Sequence, residues 1–148
     1  MKLKSLVASL CLTPLLLSNA FAQKTTEPEE KQVYLYEAAQ SDLNLASSYK
    51  QLIAPVLDKA EWLASYGTAS PAQIEEVDGV QYWVFSGCQP HNCPAQSYVA
   101  MYEPKQKKMV AGALITNEYA ELDMKRSEIH WLGNAELEFA RILAKYFY

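Results

Sequence analysis

The sequence is poor in the residues with which small enzymes usually work. Its 148 residues hold two histidines, three cysteines and five glycines. The glycines stand alone at 67, 79, 87, 112 and 133, so neither a P-loop nor a G-x-G-x-x-G phosphate cradle can be written through them. No G-x-S-x-G elbow and no H-E-x-x-H helix occurs, which removes the common hydrolase and zinc-protease signatures. Glu75 and Glu76 are neighbours in a strand-like stretch and point to opposite faces, so they cannot act on one substrate. Both are expected at solvated edge positions. A single apolar run, near the N-terminus, excludes a multi-span membrane protein. What the chain does have is hydrophobic material: half its residues are apolar, enough for a sizeable core in a length that suggests one domain.

The apolar run decides the expected compartment. Lys2 and Lys4 give a positive start, Leu6 to Leu17 an apolar stretch, and Ala20-Phe21-Ala22 a small-x-small cleavage site. A membrane span needs roughly 20 apolar residues, and this run is shorter and contains Pro14. Residues 1–22 are therefore expected to be a cleaved signal peptide, and the protein to be secreted into an oxidising compartment. Cys11 follows a bulky Leu10 and lies too early in the run for lipid attachment. Cleavage removes Lys2 and Lys4, leaving eleven basic against seventeen acidic residues and a net charge of −6. An acidic body of this kind repels nucleic acid and anionic membrane surfaces and attracts a basic partner.

Two cysteines survive cleavage, Cys88 and Cys93, and in an oxidising compartment they are expected to pair. Four residues lie between them, and closing so small a loop contributes only about 2 kcal/mol in the chain-entropy model. Global stability is thus a weak reason for the bond. Holding Gln89-Pro90-His91-Asn92 in one shape is a better one.

Along the chain, residues 23–32 are polar and carry Pro28, which reads as a flexible leader before a single domain over 33–148. From Ser41 the residues Leu45, Tyr49, Leu52, Ile53, Val56, Leu57 and Ala60 recur at helical intervals, with Ser41 or Asp42 as cap and an end or kink near Ile53 or Ala54 ahead of Pro55. The period then changes to two. Gln73 to Val77 and Val80 to Gly87 form a hairpin around Asp78-Gly79; further strands are expected at Gln96 to Glu103, Lys108 to Thr116 and Glu128 to Leu132. Tyr82 and Val84 oppose Trp83 and Phe85, so both faces of the sheet need cover. Asn134 can cap a closing helix from Ala135 to about Phe147, with Phe139, Ile142, Leu143 and Tyr146 on its inner stripe. The fold class is α+β: an antiparallel sheet of four or five strands flanked by an N-terminal and a C-terminal helix.

Chemistry concentrates at Cys88-Gln89-Pro90-His91-Asn92-Cys93, where a proline and a histidine sit at the apex of a closed connection between two strong strands. Residues alone leave four readings. A metal site would need the thiolates that oxidation removes. A redox centre would need the two-residue spacing and βαβ setting of thioredoxin-like motifs. A structural hairpin staple and a loop built to present His91 to a partner remain. The second histidine, His130, alternates with Ile129 and Trp131 and reads as a structural or surface residue.

This hexapeptide resembles the C-K-P-H-D-C loop of the periplasmic inhibitors of vertebrate (chicken-type) lysozyme, the Ivy family. The likeness extends through Ala60-Glu61-Trp62, Thr68 to Gln73, Ser97 to Met101 and Met109-Val110-Ala111-Gly112. It implies a non-enzymatic protein with no cofactor and no metal, whose partner is chicken-type lysozyme. His91 would enter the catalytic cleft with Pro90, Gln89 and Asn92 as its flanks, and Cys88 and Cys93 would lock the loop. Dimers occur among such proteins, so a homodimer is allowed. The alternative is a periplasmic protein- or glycan-binding module using the same loop on another target. Gln89 and Asn92 stand where the pattern has Lys and Asp, an exchange of two charges for two amides that leaves the loop's net charge unchanged and suggests the positions are coupled.

Overall fold

A sheet with apolar side chains on both of its faces organises the chain. The computed structural model describes residues 32–121 and 123–147. The expected signal peptide, and the leader apart from Gln32, lie outside the described residues. Six strands occur among them: β1 (Thr68–Ala69), β2 (Gln73–Val77), β3 (Val80–Cys88), β4 (Gln96–Glu103), β5 (Lys108–Ala120) and β6 (Asp123–Gly133). All pairings are antiparallel. β3, β4, β5 and β6 follow one another across the sheet, while β2 and β1 pair with opposite ends of β3. The β2–β3 hairpin turns on Asp78 and Gly79, both at positive φ, as a two-residue primed turn requires.

Among the described residues three α-helices accompany the sheet: α1 (Leu35–Ser41), α2 (Leu43–Ile53) and α3 (Leu137–Leu143). Asp42 caps α2, its Oδ1 accepting from the N–H groups of Asn44 at 2.9 Å and Leu45 at 3.3 Å. Pro55 stops the helix as its chemistry demands, and the chain continues as a single 3-10 turn over Ala54–Val56. On one face of the sheet Leu45, Tyr49, Leu52, Ile53 and Val56 pack with Phe85, Ala100, Leu114 and Leu132. On the other, Ile142 and Leu143 of α3 pack with Tyr82, Val84, Met101, Ala113 and Ile115. Each fully buried aliphatic side chain contributes about 1.5–3 kcal/mol, so leaving either face bare would cost most of a small domain's margin.

Two short elements were not expected, and two expected ones need correction. α1 has only seven residues and no side-chain cap, too short for a periodic stripe to reveal it, although Leu35, Ala38 and Ala39 are buried. β1, at two residues, is below any periodicity. β5 and β6 run on as a paired ribbon between residues 117 and 127, where most residues are polar and exposed and no apolar alternation marks a strand. α3 begins two residues late: the Asn134 side chain accepts from the Glu136 N–H at 3.3 Å in a turn before the helix rather than capping it.

Glu75 is also not a free edge residue. Its carboxylate accepts from Lys145 Nζ and from the Tyr146 hydroxyl, each at 2.8 Å, tying β2 to the turn after α3. Glu76 is exposed, as expected. The Lys145 hydrogen bond holds the Glu75 carboxyl below its ordinary value, with Tyr146 adding to it and partial burial opposing. A depressed folded-state value means stability that is complete above the unfolded value of about 4.3 and is lost as pH falls through the folded one. Glu75→Gln is therefore expected to lower the melting temperature by a few degrees at neutral pH, with the deficit shrinking to nothing in strong acid. Thermal melts of both proteins across that range check it.

Candidate functional site

β3 delivers Cys88 and β4 receives the chain at Gln96, so seven residues, 89–95, connect them. Cys88 and Cys93 are bonded, with Cα atoms 4.8 Å apart. Within the ring the Asn92 N–H donates to the Gln89 carbonyl at 3.0 Å, a turn that brackets Pro90 and His91. Pro90 supplies a fixed φ and His91 takes a φ of +63°, the left-handed conformation that a non-glycine residue adopts at a cost. Pro90, His91 and Asn92 are exposed, and the His91 ring forms no hydrogen bond among the described residues. The flanking amides do meet: Asn92 Nδ2 donates to Gln89 Oε1 at 3.2 Å. The coupling inferred from the paired exchange of charges is thus a direct side-chain contact.

The base of the loop is braced from several directions. The Gln89 N–H donates to the Gln96 carbonyl at 3.0 Å, one ladder step beyond the disulfide. Trp62 Nε1 donates to Gln96 Oε1 at 2.7 Å, and Gln96 Nε2 lies 3.4 Å from both the Lys59 carbonyl and Thr116 Oγ1. Asn117 donates from its backbone to the Ala95 carbonyl at 2.7 Å and from its side chain to the Pro94 carbonyl at 2.8 Å. Gly67, at a φ of +62°, lets the chain before β1 approach so closely that a Cβ there would stand 2.6 Å from the Cys88 carbonyl oxygen. Trp62 packs on Tyr98, whose hydroxyl donates to the Tyr66 carbonyl at 3.2 Å, and Tyr49 lies against both tyrosines. Burial pushes the Tyr49 and Tyr98 phenols far up, so they serve as neutral packing groups and not as acids at the site.

The structure brings Cys88, Gln89, Pro90, His91, Asn92 and Cys93 into one exposed projection. It does not bring His130 to them. That ring is mostly covered on the face shared with Leu114 and Leu132, its Nε2 3.2 Å from Glu128 Oε1 and 3.4 Å from Lys59 Nζ. With both sulfurs bonded, no thiolate remains at the loop for a metal. No group of three or more His, Cys, Asp or Glu side chains that could hold one occurs among the described residues. A groove of about 430 Å³ lies beside the disulfide, lined by Thr68, Ser70, Cys88, Cys93, Pro94 and Tyr119. Sequence reasoning missed the braces Gln96, Asn117 and Trp62. Only Trp62 had a signal, standing in one of the segments that carried the resemblance; a single amide at the end of an apolar strand announces nothing.

Comparison with protein families identifies a match. A model described as inhibitor of vertebrate lysozyme (Ivy) matches residues 44–142, from the start of α2 through the loop and into α3. The chain belongs to that family. No curated protein matches it. The Ivy match extends beyond the segment from Ala60 to Gly112 that holds the quoted motifs, taking in nearly all of α2 and α3 as well as the sheet, while α1 lies outside it.

The disulfide gives this site a direct check. Because the ring is small, a double Cys88→Ser, Cys93→Ser variant is expected to lose only about 2 kcal/mol of stability and to keep its circular dichroism spectrum. Residues 89–92 then sample many shapes, and binding that selects one of them weakens. Lysozyme inhibition and melting temperature, measured on the same preparations, separate this from a mere staple, for which affinity and stability would fall together.

Proposed function

We propose that this protein is a periplasmic inhibitor of chicken-type lysozyme that plugs the enzyme's cleft with the Cys88–Cys93 loop. The observation that carries the reading is an exposed His91, with no hydrogen-bond partner for its ring among the described residues, at the apex of a loop whose ends are held by a covalent bond and a set of hydrogen bonds. A loop held in this way loses little conformational entropy on entering a cleft, so its contacts reach the affinity almost undiminished.

The chemistry of the partner suits an imidazole. Lysozyme is the type case of a retaining glycosidase: one carboxyl, kept protonated by an apolar pocket, acts as acid, and an ionised one lies roughly 5 Å away. The two ring nitrogens of His91 can address both, donating to the ionised group and, in the neutral tautomer, accepting from the protonated one. The amide pair Gln89–Asn92 stiffens the flanks without placing a charge beside the imidazole. A processed chain at −6 also attracts a basic enzyme, which favours rapid encounter. The protein needs no catalysis and no cofactor for this role.

His91→Ala tests the reading. It removes both hydrogen bonds and leaves a desolvated carboxylate facing a methyl group, a loss of about 2–5 kcal/mol by analogy with truncated buried charge pairs. Its melting temperature stays unchanged, because an exposed apex side chain supports no core. His130→Ala serves as the control, expected to disturb the contact with Glu128 and Lys59 while leaving the inhibition constant of the folded protein near wild type. Equal inhibition by wild type and His91→Ala would overturn the proposal.

A further inference from the structure

The disulfide closes the loop but does not orient it. A ring joined to a sheet at two strand ends can still rock about the line between them, and the contacts that stop this lie on its return leg, residues 93–96. Pro94 has no N–H, so its carbonyl is its only backbone group able to hydrogen-bond, and the Asn117 side chain takes it at 2.8 Å. The next carbonyl, of Ala95, accepts the Asn117 N–H at 2.7 Å. One residue of β5, just past the end of its pairing with β4, thus holds two successive peptide groups of the loop. The order passes outward from there: the Ala95 N–H donates to the Asn92 carbonyl at 3.0 Å, and Asn92 holds Gln89 through the contacts already described.

Asn117 is itself fixed. Its Oδ1 accepts from Ser127 Oγ at 2.7 Å, across the β5–β6 ladder where the two residues are paired, which sets which end of the amide faces Pro94. It is 8% exposed, so it cannot touch a partner of any size. A buried amide with both ends bonded is costly to alter, because a changed side chain leaves unpaired groups behind.

We infer that Asn117, oriented by Ser127, is a positioning residue that sets the angle of the Cys88–Cys93 loop against the sheet and thereby the affinity of the loop for the lysozyme cleft. This rests on the loop reading given above. The test is Asn117→Asp, which keeps size and shape but turns the donor facing the Pro94 carbonyl into a carboxylate oxygen, with Ser127→Ala as a milder companion that removes only the orienting hydroxyl. In the free variants, amide hydrogen exchange at Asn92 and Ala95 is expected to accelerate by roughly tenfold or more, while amides at the centre of β4 keep their protection. Inhibition by Asn117→Asp is expected to weaken by roughly 10- to 100-fold, mostly through faster dissociation, and by Ser127→Ala less. Unchanged exchange at Asn92 and Ala95, or normal inhibition despite a loosened loop, overturns the inference. If Asn117→Asp lowers protection throughout β4 as well, Ser127→Ala decides by the same two readings. Should His91→Ala prove harmless, the loop reading itself fails, and the exchange data then decide alone whether Asn117 fixes the loop's angle.

Discussion

The Cys88–Cys93 bond makes the connection between β3 and β4 behave as part of the sheet. Without it, residues 89–92 would have only hydrogen bonds to hold their shape, while the return leg would keep its contacts with Asn117. With it, the carbonyl and amide groups of Gln89, Asn92 and Ala95 close onto one another, and the side chain at the apex is left free to work. The bond's small contribution to global stability fits this role. Its effect is on the number of shapes that four residues can take.

A rigid loop is useful only on a rigid base, and the two-sided core provides one. β3 and β4 are covered by α2 on one face and α3 on the other. The Glu75 carboxylate, bound by Lys145 and Tyr146, ties the outer strand β2 to the turn that follows α3. Closer to the loop, packing gives way to specific polar contacts: Trp62 on Gln96, Asn117 on Pro94 and Ala95, and the Gln89–Asn92 pair. Apolar burial fixes the platform, whereas directional hydrogen bonds fix the angle of what stands on it.

Much of this was legible in the sequence, for identifiable reasons. Strands with Tyr82 and Val84 on one side and Trp83 and Phe85 on the other announced a sheet that needs cover on both faces, and the helical stripes from Leu45 to Val56 and from Phe139 to Tyr146 announced what covers it. Asp78-Gly79 and Pro55 marked a turn and a helix end through backbone chemistry alone. The loop stood out because two cysteines, a proline and a histidine fall within six residues. What escaped notice was either short, as with α1 and β1, or polar, as with the β5–β6 ribbon and the partners of Glu75. The braces escaped for a different reason. Asn117 and Gln96 matter through residues 20 or more positions away, and no local pattern encodes such a meeting.

The central claim is that the loop occupies the catalytic cleft of a chicken-type lysozyme. Competition with a soluble oligosaccharide that fills the cleft tests it most directly, because the two ligands would need the same space. The account predicts mutual exclusion: the apparent dissociation constant of the inhibitor rises in proportion to the concentration of sugar, and no ternary complex forms. Binding to sugar-saturated lysozyme with unchanged affinity would contradict it.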